Sequence, residues 1–106
     1  MNKLDWSSQE QAIAHQAIQN AYARETRALI QLINQQATQI HSIGEVWQLH
    51  DYLSARRHQI DGKYDERPST LVFVFADLIK EGWLNLEDLQ GLDPDKLAKI
   101  FSLAKM

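Results

Sequence analysis

Cysteine is absent from the 106 residues, which removes disulfides, thiolate metal sites and a cysteine nucleophile, and leaves the cytosol as the expected setting. Proline occurs twice and glycine four times, so the chain has few places where a helix must stop. No apolar run approaches the roughly 18 residues that span a bilayer. The opening MNKLDWSSQEQ carries no charged-then-apolar export pattern, so no membrane-crossing segment is expected. Positive charge is also scarce. Eleven Lys and Arg stand against 14 Asp and Glu, a net charge of −3, whereas a nucleic-acid backbone binder needs a basic patch to displace counterions. No nucleic-acid partner is expected. What is present is 44% apolar residues, in a length suited to one domain covering residues 1–106.

Ser7 followed by Glu10 makes a capping box, which predicts a helix from about Ser8. From there to Ile40 neither Gly nor Pro occurs, while Ile13, Ala17, Ala21, Glu25, Leu29, Leu32, Gln36 and Ile40 recur at helical spacing. A helix of about 30 residues is about 45 Å long at 1.5 Å per residue. A small monomer cannot cover such a rod, and Glu and Gln within its stripe suit a closed monomeric core badly, so the pattern indicates dimerisation. A break near Thr38 to Ile40, or a frayed start, is the plainer alternative.

Ser42 and Glu45 repeat the box and start a second helix at Ile43, expected to run to about Asp61 and to stop at Gly62. Val46, Leu49, Leu53 and Ile60 fall on one side of it as the expected core stripe. Trp47, His50, Asp51, Ser54, Arg57 and His58 share the adjoining arc, where Trp47 can touch Asp51 and His50 can touch Ser54. After the turn-like KYDERPST, the run LVFVFADLI has strand propensity but no second strand to pair with, and is read as a buried helix ending near Gly82. Asn85 with Asp88 predicts a short helix, LEDLQ, stopped by Gly91. Asp93 and Pro94 open a last helix through Leu97, Ile100, Phe101 and Ala104. The expected fold is all-α. A long helical stem covers about residues 8–62, a small helical head covers about 65–106, and two copies form an elongated homodimer.

Enzymatic readings of the polar arc fail on geometry. His50, Asp51 and Ser54 diverge as neighbours on one helix, and no Gly-rich elbow or oxyanion donor accompanies them. His58 and Asp61 are three apart and His50 could join from another chain, but the paired Glu-x-x-His sets of di-metal bundles are absent. The segment Leu86 to Ala104 mimics a helix-turn-helix, with lysines but no arginine on its second helix. Trp47 beside Arg57 points instead to a protein interface, because Trp and Arg are enriched at the energetic centres of such surfaces. Asp51 can pair there with Arg57 of a neighbouring helix and fix register. The plainer alternative has Trp47 roofing the core and Arg57 snorkelling to water.

The run VWQLHDYLSARRHQIDGKYDERPSTLVFVFADLIKEGWL, with the ending LDPDKLAKIFSLAKM, resembles the fluorescence recovery protein family of cyanobacteria. Over residues 1 to 40 the likeness is mainly one of helical character. The resemblance implies an all-helical dimer without catalytic residues or cofactor. It would meet the light-activated red form of the orange carotenoid protein at the receptor's C-terminal domain, speed its return to the orange form and release it from the phycobilisome. By motif, Trp47, His50, Asp51 and Arg57 match the family's functional patch, and Phe73 and Lys99 match head positions that contact the partner. Val46 sits at an apolar interface position, and the expected dimer seam takes in Val46, Trp47, Leu49, Asp51, Leu53 and Arg57. Gln48, Tyr52 and Arg56 depart mildly, standing where Lys, Phe and Lys are common. The implied location is cytoplasmic, with the thylakoid surface as a peripheral site. A dimeric helical adaptor for another partner is the alternative of the same fold, and a His/Asp metal protein the alternative of another class.

Overall fold

The computed structural model describes residues 5–106. Four α-helices and a 3-10 turn follow in order: α1 (Ser8–Ala37), α2 (Ile43–Lys63), α3 (Leu71–Glu81), the turn at Leu86–Leu89, and α4 (Pro94–Ala104). No strand occurs among the described residues. The molecule measures 59 × 25 × 21 Å with a radius of gyration of 16.8 Å, against about 13 Å for a compact chain of this length. It is elongated because α1 runs unbroken for 30 residues.

The caps act where their residues place them. Ser7 Oγ accepts from the Glu10 amide at 3.1 Å, and Glu10 returns to accept from the Ser7 amide at 3.1 Å. At α2 the reciprocal bond differs: Ser42 Oγ accepts from the Glu45 amide, but the Glu45 carboxylate takes the His41 amide and the Ser42 hydroxyl. Gly62 does not end α2, which continues to Lys63 with Tyr64 as its cap. A glycine terminates a helix by entering the left-handed region, as Gly82 does at φ 88° and Gly91 at φ 103°, and Gly62 does not.

The apolar core lies at one end of the rod. Ala14, Ala17, Ile18 and Ala21 of α1 pack with Trp6, most of α3, Leu84, Leu89, Leu92 and Ile100. The first half of α1 therefore belongs to the head as well as to the stem. Trp6 meets Phe75 edge to face at 6.3 Å between ring centres. From α3, Leu71, Val72, Val74, Phe75, Ala76 and Leu78 are buried, so the strand-like run forms the expected buried helix, while Phe73 at 52% and Asp77 are exposed and Ile79 is partly covered.

Beyond Glu25 no residue of α1 is buried, and α2 turns back as the second arm of an open hairpin whose far end meets Glu25 through Arg56, Lys63 and Tyr64. Of the expected core stripe on α2 only Ile60 is buried; Leu49 and Leu53 are partly covered and Val46 is 36% exposed. The core reading of that stripe is corrected on a simple ground: two helices alone have no third surface with which to enclose a core.

Candidate functional site

The polar and aromatic arc of α2 stands in the open. Trp47 is 57% exposed, a large apolar area for a residue that normally hides most of its ring. Its indole meets the His50 ring edge to face at 6.2 Å, and His50 Nδ1 lies 3.2 Å from Asp51 Oδ1. The contact from Trp47 thus goes to His50, three residues on, and His50 engages Asp51 where Ser54 was expected. Arg57 leans toward Asp61 at 3.7 Å, a loose solvated pair on two exposed side chains. Asp51 and Arg57 make no pair with each other within the chain; their side chains are 81% and 85% exposed. Ser54 and His58 also face solvent. Among the described residues no cluster of three or more His, Asp or Glu is placed to hold a metal ion, so His58 and Asp61 gain no further ligand.

Beside this arc the stem hairpin leaves a cleft of about 420 Å³, lined among others by Leu32 and Ile40 of the α1 side and by Glu45, Leu49 and Tyr52 of α2. Ile30, Ile43, Val46 and Tyr52 add exposed apolar surface to the same hairpin. Several large apolar side chains left exposed on one hairpin mark a candidate interaction surface. In the head, Phe73 projects from α3 and Lys99 from α4, both exposed.

Several buried charges escaped sequence reasoning. Glu25, 1% exposed, is surrounded by Arg56, Lys63 and Tyr64. Burial pushes its carboxyl up, but hydrogen bonds from Lys63, Tyr64 and Arg56 outweigh that and hold it below the usual range. Burial, reinforced by the bond to Glu25, drives the Tyr64 phenol far up. The only advance signal was a Glu in an apolar stripe, which sequence reasoning took as a sign of dimerisation. A second such group, Lys96, reaches from α4 to Glu10 and to the Asp5 carbonyl, 4.8 Å above the Trp6 ring. Arg24, itself exposed, forks through two nitrogens at 2.8 and 3.1 Å onto Asp88, whose side chain is 8% exposed.

No helix among the described residues is long and apolar enough to cross a membrane. Residues 6–104 match the family model described as photoprotection regulator fluorescence recovery protein. The fluorescence recovery protein of Synechocystis is 48% identical over 101 residues, which cover 95% of this chain and 93% of that protein. The solved structure of the Fremyella diplosiphon fluorescence recovery protein is 57% identical and superposes with a TM-score of 0.92, covering 96% of this chain and all of the other. The Synechocystis structure gives a TM-score of 0.93 at 48% identity, again over 96% of this chain and 100% of its own. The family model over residues 6–104, with relatives 48% and 57% identical over at least 95% of its length, places the chain in the fluorescence recovery protein family of photoprotection regulators.

Proposed function

We propose that the chain acts as a homodimer that binds the photoactivated orange carotenoid protein at its C-terminal domain, accelerates its red-to-orange return and detaches it from the phycobilisome. It works by binding, without a cofactor and without chemistry on the carotenoid, in the cytoplasm or against the thylakoid surface. The observation that supports this most is Trp47, 57% exposed beside the solvated charges of Asp51 and Arg57, on a helix that buries a single residue. That arc and the apolar residues beside it have the composition of an interface centre. A second copy supplies the missing stem surface, with Val46, Trp47, Leu49 and Leu53 in the seam and Asp51 facing Arg57 across it.

Acceleration constrains how the partner is held. A protein that gripped the red form alone would stabilise it and slow its decay; a faster return requires tighter binding of the closing receptor than of the open one. Phe73 and Lys99 hold the C-terminal domain from the head, and the acidic and aromatic surface of the dimer favours return of the other domain. The test is a reconstituted dark-reversion assay with Phe73→Ser. Phe73 is half exposed and contributes little to the core, so this variant folds normally and reversion slows. An unchanged rate rejects Phe73 as part of the docking face.

A further inference from the structure

Apolar packing alone does not fasten α2 to the rest of the molecule. Ile60 is its single buried residue, while the core is assembled from Trp6, the first half of α1, α3, α4 and the turns between them. What α2 brings to the body is charge. Tyr64 donates to Glu25 Oε1 at 2.6 Å, and Arg56 donates to Oε2 at 2.8 Å. Lys63 Nζ lies 2.7 Å from Oε1 and 2.8 Å from Oε2, and extends 2.7 Å to the Glu81 carboxylate at the last residue of α3. Two carboxylates, one guanidinium and one ammonium make a neutral cluster. Its members come from α1, the end of α2, the α2 cap and the end of α3.

We propose that Glu25 is a positioning residue that fixes the stem to the head, setting the orientation of the stem, and of the dimer surface it carries, relative to Phe73 and Lys99 so that both surfaces engage one partner together. A single hydrogen bond leaves rotation free, but a buried carboxylate filled from three residues determines the geometry of everything attached to it. Removing the carboxylate charge leaves Arg56 without its anion and Lys63 with Glu81 alone, one positive charge in excess at a largely buried place, and the cheapest relief is separation of α2 from the head. The functional consequence is one of effective concentration. When two surfaces share a rigid body, binding of the first makes binding of the second intramolecular. A loosened joint leaves each surface intact and loses that advantage.

The inference rests on the proposed function only in having one partner touch both surfaces, and the experiment separates the two. Glu25→Gln in the full chain keeps the side-chain shape and removes the charge. Amide hydrogen exchange is expected to quicken by roughly tenfold over residues 56–63 while residues 71–104 keep their protection. In the receptor reversion assay, the concentration needed for half-maximal acceleration is expected to rise by roughly tenfold with the limiting rate at saturation retained. Exchange that is unchanged at 56–63, or that rises equally in the head, overturns the joint. A fallen limiting rate with an unshifted half-maximal concentration overturns the positioning role. If Glu25→Gln does not fold, Arg56→Gln, altered on the more solvated side of the cluster at 23% side-chain exposure, carries the same two measurements. A wild-type chain that fails to accelerate reversion refutes the proposed function, and the exchange data still judge the joint.

Discussion

Lys96 places its ammonium 2.8 Å from the Glu10 carboxylate, so the residue that completes the first helix cap also holds the last helix of the chain. The other Glu10 oxygen accepts from the Asp93 amide at 3.0 Å, at the very start of α4. One carboxylate thereby ties the two ends of the described sequence and seats α4, and with it Lys99, against α1.

Acid should undo this tie over a defined range. Burial raises the Glu10 carboxyl, but the Lys96 ammonium and the Asp93 and Ser7 amides overcome it and bring it from 4.5 down to about 2. Above pH 4.5 both folded and unfolded chains carry the charge and the stabilisation is complete; from there down to about pH 2 the unfolded chain takes up the proton first, and the stabilisation is lost. The loss is about 1–2 kcal/mol, because solvent reaches the edge of the pair. Urea midpoints at pH 6.5 and pH 3 should differ less in Glu10→Gln than in the wild type. They should still differ, because Glu25 and Asp88 are also held low.

Arg24→Ala should destabilise the head although Arg24 itself is 43% exposed. Its partner Asp88 has a side chain only 8% exposed and also accepts from the Asn85 amide at the cap of the 3-10 turn. The hydrogen bond from Arg24, opposed by burial, holds the Asp88 carboxyl below the ordinary range. Stranding it costs about 1–3 kcal/mol, read as a lowered denaturation midpoint.

Gly91→Ala and Gly62→Ala should move stability in opposite directions. An added Cβ at Gly91 meets Ile13 Cδ1 at 2.7 Å on a backbone at φ 103°, while at Gly62 it meets nothing within 4 Å. The first should cost about 1–3 kcal/mol through strain and overpacking. The second, inside a helix, should gain about 0.5–1 kcal/mol by restricting the unfolded chain. Thermal melting of the two variants checks both.

Val46→Glu should leave the monomer almost unchanged in stability and abolish pairing. At 36% exposure the carboxylate stays wet in a single chain, whereas in a closed stem seam it is buried without a partner at several kcal/mol. Sedimentation of this variant as a dimer rejects the seam.

The helix starts and the architecture could be read from local chemistry, since Ser7, Ser42 and Asp93 carry their caps in the sequence itself. Helix ends were harder, because Gly62 and Gly82 are the same residue type and only the backbone conformation separates a stop from a passage. Periodicity on α2 correctly separated the apolar stripe from the polar arc, but it could not say whether Val46, Leu49 and Leu53 face a core or an open side, a matter decided by how many other helices are near. The Glu10–Lys96, Glu25–Lys63 and Arg24–Asp88 pairs lie 86, 38 and 64 residues apart, beyond any local pattern. Glu25 came nearest to notice, as a charge in an apolar stripe whose partners the sequence could not name.

The chain's three tryptophans are so unlike in surroundings that they form a ready-made set of optical reporters. Trp6 is sealed beneath the Lys96 ammonium, Trp83 is half-buried after the α3 turn, and Trp47 is bathed in solvent. In a single chain a collisional quencher therefore reaches Trp47 first, and a second copy seated on α2 will shield that emission and shift it to the blue. Binding could thus be followed by light from unlabelled protein, with Trp6 as the internal witness that the head has stayed closed.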